Sequence, residues 1–410
     1  MTHLDSKFIR SQFPAFEEPS LNGWGFFENA GGSYTCQQVI SCLNDYYVQT
    51  KVQPYYNYPA SQKAGAAMDE SYSRLAAYLN VSEDEVQFGP STSQNLYVLA
   101  QAFRELWTEG DEIILSNQDH EANAGFWRRL EKTGIVINEW RVDPETGMLS
   151  LDDLDVLLSH KTRLLAFPHC SNIIGHVNPV TEIVSKVKSA NICTVVDGVS
   201  YAPHGLPDIG SLGADIYLFS LYKTWGPHLG LMTIKKKVMD ELPSQGHFFN
   251  KHIIRKKMLP AGPDHAQIAA ASGVARYLDT VYEHHFSEAV DQAEKGRHLT
   301  KLFQDHERSL LEMLLDWLRQ RDDICIVGPD NPEMRVPTIS IVPKKKSIDE
   351  IFAVLTTKKL MVGQGHFYGV RPLMGLNIPI DPGVLRLSFL HYTIEDEIIQ
   401  LIDGLSAALG

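Results

Sequence analysis

Between residues 111 and 236 the chain repeats one pattern, a short apolar run followed by a segment with apolar residues at helical spacing. The runs DEIILS (111–116), IVINEWRV (135–142), TRLLAFPH (162–169), NICTVVD (191–197), ADIYLFS (214–220) and GLMTIKK (230–236) read as strands. The segments HEANAGFWRRLEKTG (120–134), LDDLDVLLS (151–159) and PVTEIVSKVKSA (179–190) read as helices. The first ends at Gly134, and the last begins at Pro179, whose missing N–H is no loss in a first turn. Strands apolar on both faces are buried on both faces. Strand–helix–strand alternation therefore predicts a mainly parallel sheet with helices on either side, an α/β architecture. Beyond residue 264 the pattern turns helical, and the tail mixes strands (VPTISIVP, VLRLSF) with helices (SIDEIFAVLTTKK, IEDEIIQLIDGLSAAL). A chain of 410 residues is long for one core, so more than one domain is expected. The predicted division is an N-terminal arm over 1–22, a large α/β domain over 23–270, and a linker helix with a smaller α+β domain over 271–410.

Open parallel sheets bind ligands outside the carboxyl ends of their strands, so the residues after each strand are the candidates. GPSTSQN (89–95) opens a helix. Asp119 and His120 follow DEIILS, Ser171 and Asn172 follow LLAFPH, Asp197 ends CTVV, and Lys223 follows YLFS. A carboxylate ending a buried strand is expensive unless it is paired. A lysine among Leu221, Tyr222 and Trp225 loses basicity if desolvated, and its neutral amine becomes a nucleophile. Taken singly, Asp197 reads as a turn acid and Lys223 as a surface lysine. Taken together they are the minimal equipment for pyridoxal phosphate: a Schiff-base lysine and an acid that keeps the ring nitrogen protonated. Ser91, Thr92 and Ser93 at a helix start offer free N–H groups for the phosphate, and Ser220 adds a hydroxyl. A plain helix cap explains the same hydroxyls. His120 could stack on the ring, while Trp225 and Tyr222 read equally as packing residues.

The formal net charge of −13 argues against a nucleic-acid partner. The five cysteines (Cys36, Cys42, Cys170, Cys193, Cys325) follow no metal-ligand spacing and read as reduced thiols, so no metal is expected. No run of 18 apolar residues suggests a membrane span, and the N-terminus has no secretory pattern. A cytoplasmic location is the corresponding expectation.

The order of these motifs resembles the class V aminotransferase family of pyridoxal-phosphate enzymes, in particular its cysteine-desulfurase-like branch, from about residue 24 to the end. The stretches that carry the resemblance are FFENAGGSY (26–34), GPSTSQNL, DHEANAGFW, CSNIIGHVNPV (170–180), VVDGVSYAPHG, FSLYKTWGPHLGLM and PGVLRLSFLHYTIEDEI. The resemblance implies the fold type I architecture, with a seven-stranded-type sheet in the large domain, and a homodimer. It implies Lys223 as the Schiff-base lysine, Asp197 at the ring nitrogen and His120 stacked on the ring. It implies cofactor contacts from Thr92, Ser93, Asn172, Ser200, Ser220 and Tyr222, with Asn29, Asn172 and Arg386 toward the substrate. Arg386 would grip the α-carboxylate, a pairing that suits a guanidinium fork. The segment MLPAGPDHAQIAAASG (258–273) falls where family members reach the neighbouring subunit's phosphate. Pro263 stands there in place of threonine, leaving Gly262 to contribute backbone. The tyrosine-rich QPYYNYPASQKAG (53–65) would line the partner's site.

The departures carry the functional expectation. The desulfurases' catalytic loop corresponds to VGQGHFYGVRPLM (362–374), which has no cysteine, and Tyr368 sits near the expected place. A thiolate is needed to take sulfur as a persulfide, so that chemistry is not expected. Cys170 reads as a buried small hydrophobe. His366, Tyr368 and Arg371 on the altered loop are candidates for substrate selection. Arg371 suits a second carboxylate, or else forms a surface ion pair. Ser200 replaces a family glutamine and Tyr222 a family histidine. The expected activity is Cα chemistry on a small amino-acid substrate, of the aminotransferase or C–S lyase type. An epimerase of the isopenicillin N epimerase type is the alternative. A catalytically silent cofactor binder is the reading from another class, and the presence of both Lys223 and Asp197 argues against it.

Overall fold

A computed structural model describes residues 3–410. Among these residues the strands are β1 (Gly25–Phe27), β2 (Val86–Gly89), β3 (Glu112–Ser116), β4 (Val136–Trp140), β5 (Thr162–Pro168), β6 (Cys193–Asp197), β7 (Ile216–Ser220), β8 (Gly230–Ile234), β9 (Ile324–Ile326), β10 (Thr338–Pro343), β11 (Leu360–Gly365) and β12 (Val384–Ser388). They form a seven-stranded sheet in the order β2-β8-β7-β6-β5-β3-β4 and a five-stranded sheet in the order β1-β11-β12-β10-β9. In the large sheet β8 runs antiparallel to both neighbours, and the pairs from β7 through β4 are parallel. Each expected strand between 111 and 236 is present, with ends trimmed where the flanking residues leave the ladder.

The apolar strands bury both faces, as the pattern requires. Leu165, Phe167, Val196, Tyr217 and Phe219 pack into one core layer. Their neighbours Leu164, Ala166, Val195, Ile216 and Leu218 pack into the layer on the other side. The period-2 alternation thus divides each strand between two helical layers.

The domain division differs from the expectation at two places. β1, assigned to the large domain, pairs in parallel with β11, Gly25 opposite Leu360, and so belongs to the second sheet. The helix Ser272–His285, assigned to the C-terminal unit, packs against the helices Gln37–Gln49 and Pro59–Tyr78 of the large domain. Its buried Val274, Ala275, Leu278 and Val281 share the large domain's core. Gly273 makes the approach possible, because a Cβ there would lie 2.5 Å from the Val39 Cα. The second sheet has its own core, built from residues such as Leu314, Ile339, Leu385, Leu387 and Ile398.

Candidate active site

Parallel β3, β5, β6 and β7 end at one sheet edge, and the polar residues that follow them collect there. β7 is buried along its length and stops at Ser220. A single 3-10 turn, Leu221–Lys223, lifts the lysine off the strand end. That turn is pinned from below. Gly226 N–H donates to Leu221 O at 2.8 Å, and Trp225 N–H donates to Ser33 Oγ at 2.8 Å. Trp225 itself sits at φ 57°, a left-handed conformation that non-glycine residues rarely hold without support. The support is packing: its fully buried ring meets Tyr277, Phe303 and His391 edge-on. The tryptophan is a structural anchor for the turn that presents Lys223.

Lys223 is 9% exposed, and no group among the described residues accepts a hydrogen bond from its ammonium. Burial above all, and then the nearby Arg386 charge, lower its pKa to about 8, while Asp197 and Glu28 oppose the shift. Asp197 ends β6 and accepts one hydrogen bond, from Val199 N–H at 2.9 Å. Burial raises its pKa to about 6, against the pull of that N–H and of Lys223. Burial also pushes the nearby Asp119 carboxyl well up, with the Asp197 charge adding to the effect. His120 caps the helix Glu121–Arg128, its Nδ1 accepting from Ala122 N–H at 3.0 Å. Burial first, then Lys223 and Arg386, lower its pKa to about 3, so it is neutral at physiological pH.

These groups line a cavity that is partly open to solvent, with Thr92, Ser93, Asn172, Ser200, Ser220 and Tyr222 also in its walls. Ser91 caps the helix Thr92–Arg104, accepting from Gln94 N–H at 3.2 Å. Thr92 Oγ1 and Ser220 Oγ are 2.7 Å apart and join the helix start to the end of β7. β8 runs directly beneath this helix start, and a Cβ at Gly230 would overlap the Ser91 backbone. A larger cleft lies between residues 201–212 and 293–308, but its charged groups neutralise one another, as in Arg297–Asp208 and Lys301–Asp305. The smaller cavity is the one with unpaired chemistry.

The other expected site residues stand elsewhere. Asn29 is buried and its amide is fully engaged: Nδ2 donates to Phe26 O and Ser388 O, and Oδ1 accepts from Tyr392. It braces β1 to β12 and has no group left for a substrate. Arg371 lies in an ion pair with Glu121, Nε to Oε2 at 3.0 Å, so the surface alternative describes it. His366 is exposed and accepts from Tyr368 N–H at 3.1 Å. Gly262 is exposed, with nothing within 4 Å of where its Cβ would be. Arg386 is 2% exposed but is not a wall of the cavity, because Glu28 and Phe367 cover it. Two residues were not anticipated. His228, in the same GPHLG stretch as the lysine, lines the cavity and stacks on Tyr222 with centroids 4.7 Å apart. Glu28 was passed over inside FFENAGG, where only the asparagine was singled out.

The cavity fits pyridoxal phosphate on its own observations. A 13-residue helix offers its first-turn N–H groups and hydroxyls to an anion. A buried amine follows β7, a buried acid ends the neighbouring strand β6, and the Asn172 Oδ1 is buried without a partner. Among the described residues there is no cluster of three or more potential metal ligands, and no helix is long and apolar enough to cross a membrane.

Fold and cavity together define a pyridoxal-phosphate-dependent protein of fold type I. An apo cysteine desulfurase from Thermococcus onnurineus shares the fold over 100% of this chain and 99% of its own, with a TM-score of 0.86 at 21% identity. The sequence model of the aminotransferase class-V family matches residues 25–401, and the chain belongs to that family. Its members use pyridoxal 5'-phosphate. The chain is 34% identical to the aminotransferase-like protein FGM3 of Gibberella zeae, over 98% of each. It is 28% identical to the cysteine desulfurase-like protein ustD of Aspergillus flavus, over 96% of this chain and 88% of that one.

Proposed function

We propose that this chain is an enzyme acting at the Cα of a small amino acid, of the aminotransferase or C–S lyase type, without a cysteine persulfide. The observation that carries this reading is the buried, unpartnered Lys223 amine with its pKa lowered to about 8, facing a cavity that also holds Asp197 and His120. When bound, pyridoxal phosphate supplies an electron sink for a Cα carbanion. Lys223 is the residue that would hold the cofactor, and its neutral amine would remove or relay the Cα proton. Asp197 would supply the negative charge that keeps the cofactor's ring nitrogen protonated. His120, neutral and fixed by its cap bond, would pack against the cofactor. Thr92, Ser93 and Ser220 would hold the phosphate at the helix start, and the unpartnered Asn172 Oδ1 would be free to accept from the cofactor. Arg386 takes the substrate carboxylate.

Persulfide chemistry is disfavoured by the thiols present. Cys170 is the one cysteine lining the cavity. Its sulfur is buried against Gly175 O at 3.3 Å, and burial pushes its pKa well up, away from a thiolate. Tyr368 occupies the loop position where a catalytic cysteine would be needed.

The chain works as a homodimer in this reading. Tyr55, Tyr56, Phe248 and Phe249 are 59%, 58%, 84% and 65% exposed in the single chain. Exposed aromatic side chains of this kind suit a subunit interface.

The test is a panel of amino acids added to the cofactor-loaded protein and to Lys223→Ala. Conversion to the amine form of the cofactor would mark transamination, and a 2-oxo acid with ammonia from cysteine conjugates would mark a lyase. Lys223→Ala is expected to lose borohydride fixation of the cofactor and about 10²–10⁴-fold in turnover. Persulfide release from free cysteine would overturn the proposal.

A further inference from the structure

Arg386 is deeply buried yet does not stand open. Its Nη2 is held by Glu28 Oε1 at 2.5 Å, its Nη1 donates to Asn172 O at 3.2 Å, and Phe367 covers its guanidinium at 3.7 Å. The Nε is buried with no partner. The Nε–Nη2 edge of a guanidinium is the fork that binds a carboxylate side-on with two hydrogen bonds. Here Glu28 fills half of that fork and leaves the other half vacant of any partner.

The seat of Glu28 is built. Its backbone is fixed by a bridge to Ser388 and by Gly31 N–H donating to its carbonyl at 3.0 Å. Two glycines make room for its carboxylate: a Cβ at Gly31 would overlap Oε2, and one at Gly363 would come within 2.9 Å of Oε1 and 2.8 Å of the Phe367 ring. The side chain remains 29% exposed, so it has solvent to swing into, while Arg386 at 2% has none.

We propose that Glu28 is a resident competitor for the carboxylate clamp: it neutralises Arg386 while no substrate is bound, and the incoming carboxylate displaces it. The physical reason for such a group is that a buried guanidinium without a counter-charge is strongly unfavourable. One carboxylate exchanges for another, so the net charge beside Lys223 is conserved through binding. The same exchange sets specificity. A ligand able to fill both Nε and Nη2 displaces the one-point contact of Glu28, whereas an amine without a carboxylate gains nothing at Arg386. This inference rests on the reading of Arg386 as the substrate-carboxylate clamp.

The experiment compares 2-methylalanine, which has no Cα hydrogen to lose, with isopropylamine, the same molecule without its carboxylate. Each is titrated into the cofactor-loaded protein, and binding is followed by the cofactor's absorption spectrum. Glu28→Gln is expected to tighten 2-methylalanine about tenfold and to leave isopropylamine unchanged, and Glu28→Asp, too short to reach Nη2, to tighten it as well. On an Arg386→Gln background, Glu28→Gln is expected to have no effect. If Glu28→Gln and Glu28→Asp weaken 2-methylalanine, Glu28 positions the guanidinium and does not compete for it, and the proposal is overturned. Equal shifts for both ligands overturn it too. The reading of Arg386 fails by a different result: Arg386→Gln alone leaving the preference for 2-methylalanine over isopropylamine intact.

Discussion

Lys223 illustrates what a single side chain owes to its surroundings. An isolated lysine is protonated at neutral pH, and this one is not fully so because burial removes the water that would solvate its charge. The sign of the resulting pH dependence follows directly. Only the neutral amine has a lone pair, and its fraction grows as pH rises through about 8. The rate at which the apoprotein takes up pyridoxal phosphate covalently is therefore expected to rise between pH 6 and 8 and to level off above. At pH 6 about one amine in a hundred is neutral, a tenfold loss per unit below the pKa. Stopped-flow absorbance of reconstitution measures it, and a flat profile over that range would show that another step controls loading. The position of Lys223 after an apolar strand was legible in the sequence. Whether it is in fact desolvated was not, because burial depends on walls brought in from other strands and the Arg386 charge comes from far along the chain.

Among the elements, the start of the helix Thr92–Arg104 depends most on close approach. β8 crosses beneath it, and Gly230 lacks the atom that would collide with the Ser91 backbone. Gly230→Ala is expected to displace the helix start, to cost about 1–3 kcal/mol in stability, and to weaken cofactor binding at least severalfold. Chemical denaturation and a cofactor titration report the two effects separately. Retained affinity with lost stability would mean that the helix start does not hold the phosphate. The sequence showed serines and threonine at a helix start. It did not show that a glycine far along the chain makes the space for them, because β2, the strand leading into that helix, pairs with β8 only after the chain has crossed the whole sheet. Misassignment of β1 has the same cause. A three-residue run such as Gly25–Phe27 carries no signal for its partner, and pairing with β11 was decided by tertiary packing.

At the scale of the molecule, Arg335 ties the two sheets to one another. It is buried and donates to Ile174 O at 3.0 Å and Thr338 O at 2.6 Å, linking the SNIIG loop of the large domain to β10. Gly175, at φ 75°, lets that loop lie directly on Thr338 O. Arg335→Leu leaves buried carbonyls unpaired and is expected to destabilise the fold by on the order of 3 kcal/mol. Because Asn172 rides on the same loop, cofactor affinity should fall with it. A melting curve unchanged by the substitution would contradict the role. Assembly makes a second prediction. The exposed aromatic residues predict that the 46.0 kDa chain sediments as a dimer, and a concentration-independent monomer would remove the homodimer from the proposed function.

Fold class, and the choice of Lys223 and Asp197 as the candidate reactive lysine and acid, came from the sequence alone. Their signals are local: apolar runs of strand length, helix starts, and ionisable residues placed just after them. The ordered motifs then tied those residues to one cofactor family. Tertiary structure alone decided which of the remaining candidates face the cavity. Asn29 and Arg371 carry the right chemistry but are bonded elsewhere, while His228 and Glu28 came in unannounced. Arg386, expected at the substrate carboxylate, is covered by a carboxylate more than three hundred residues earlier in the chain. The reason is physical. A hydrogen-bonding group that finds a partner on folding is no longer available to a ligand, and partners distant in sequence leave no pattern to read.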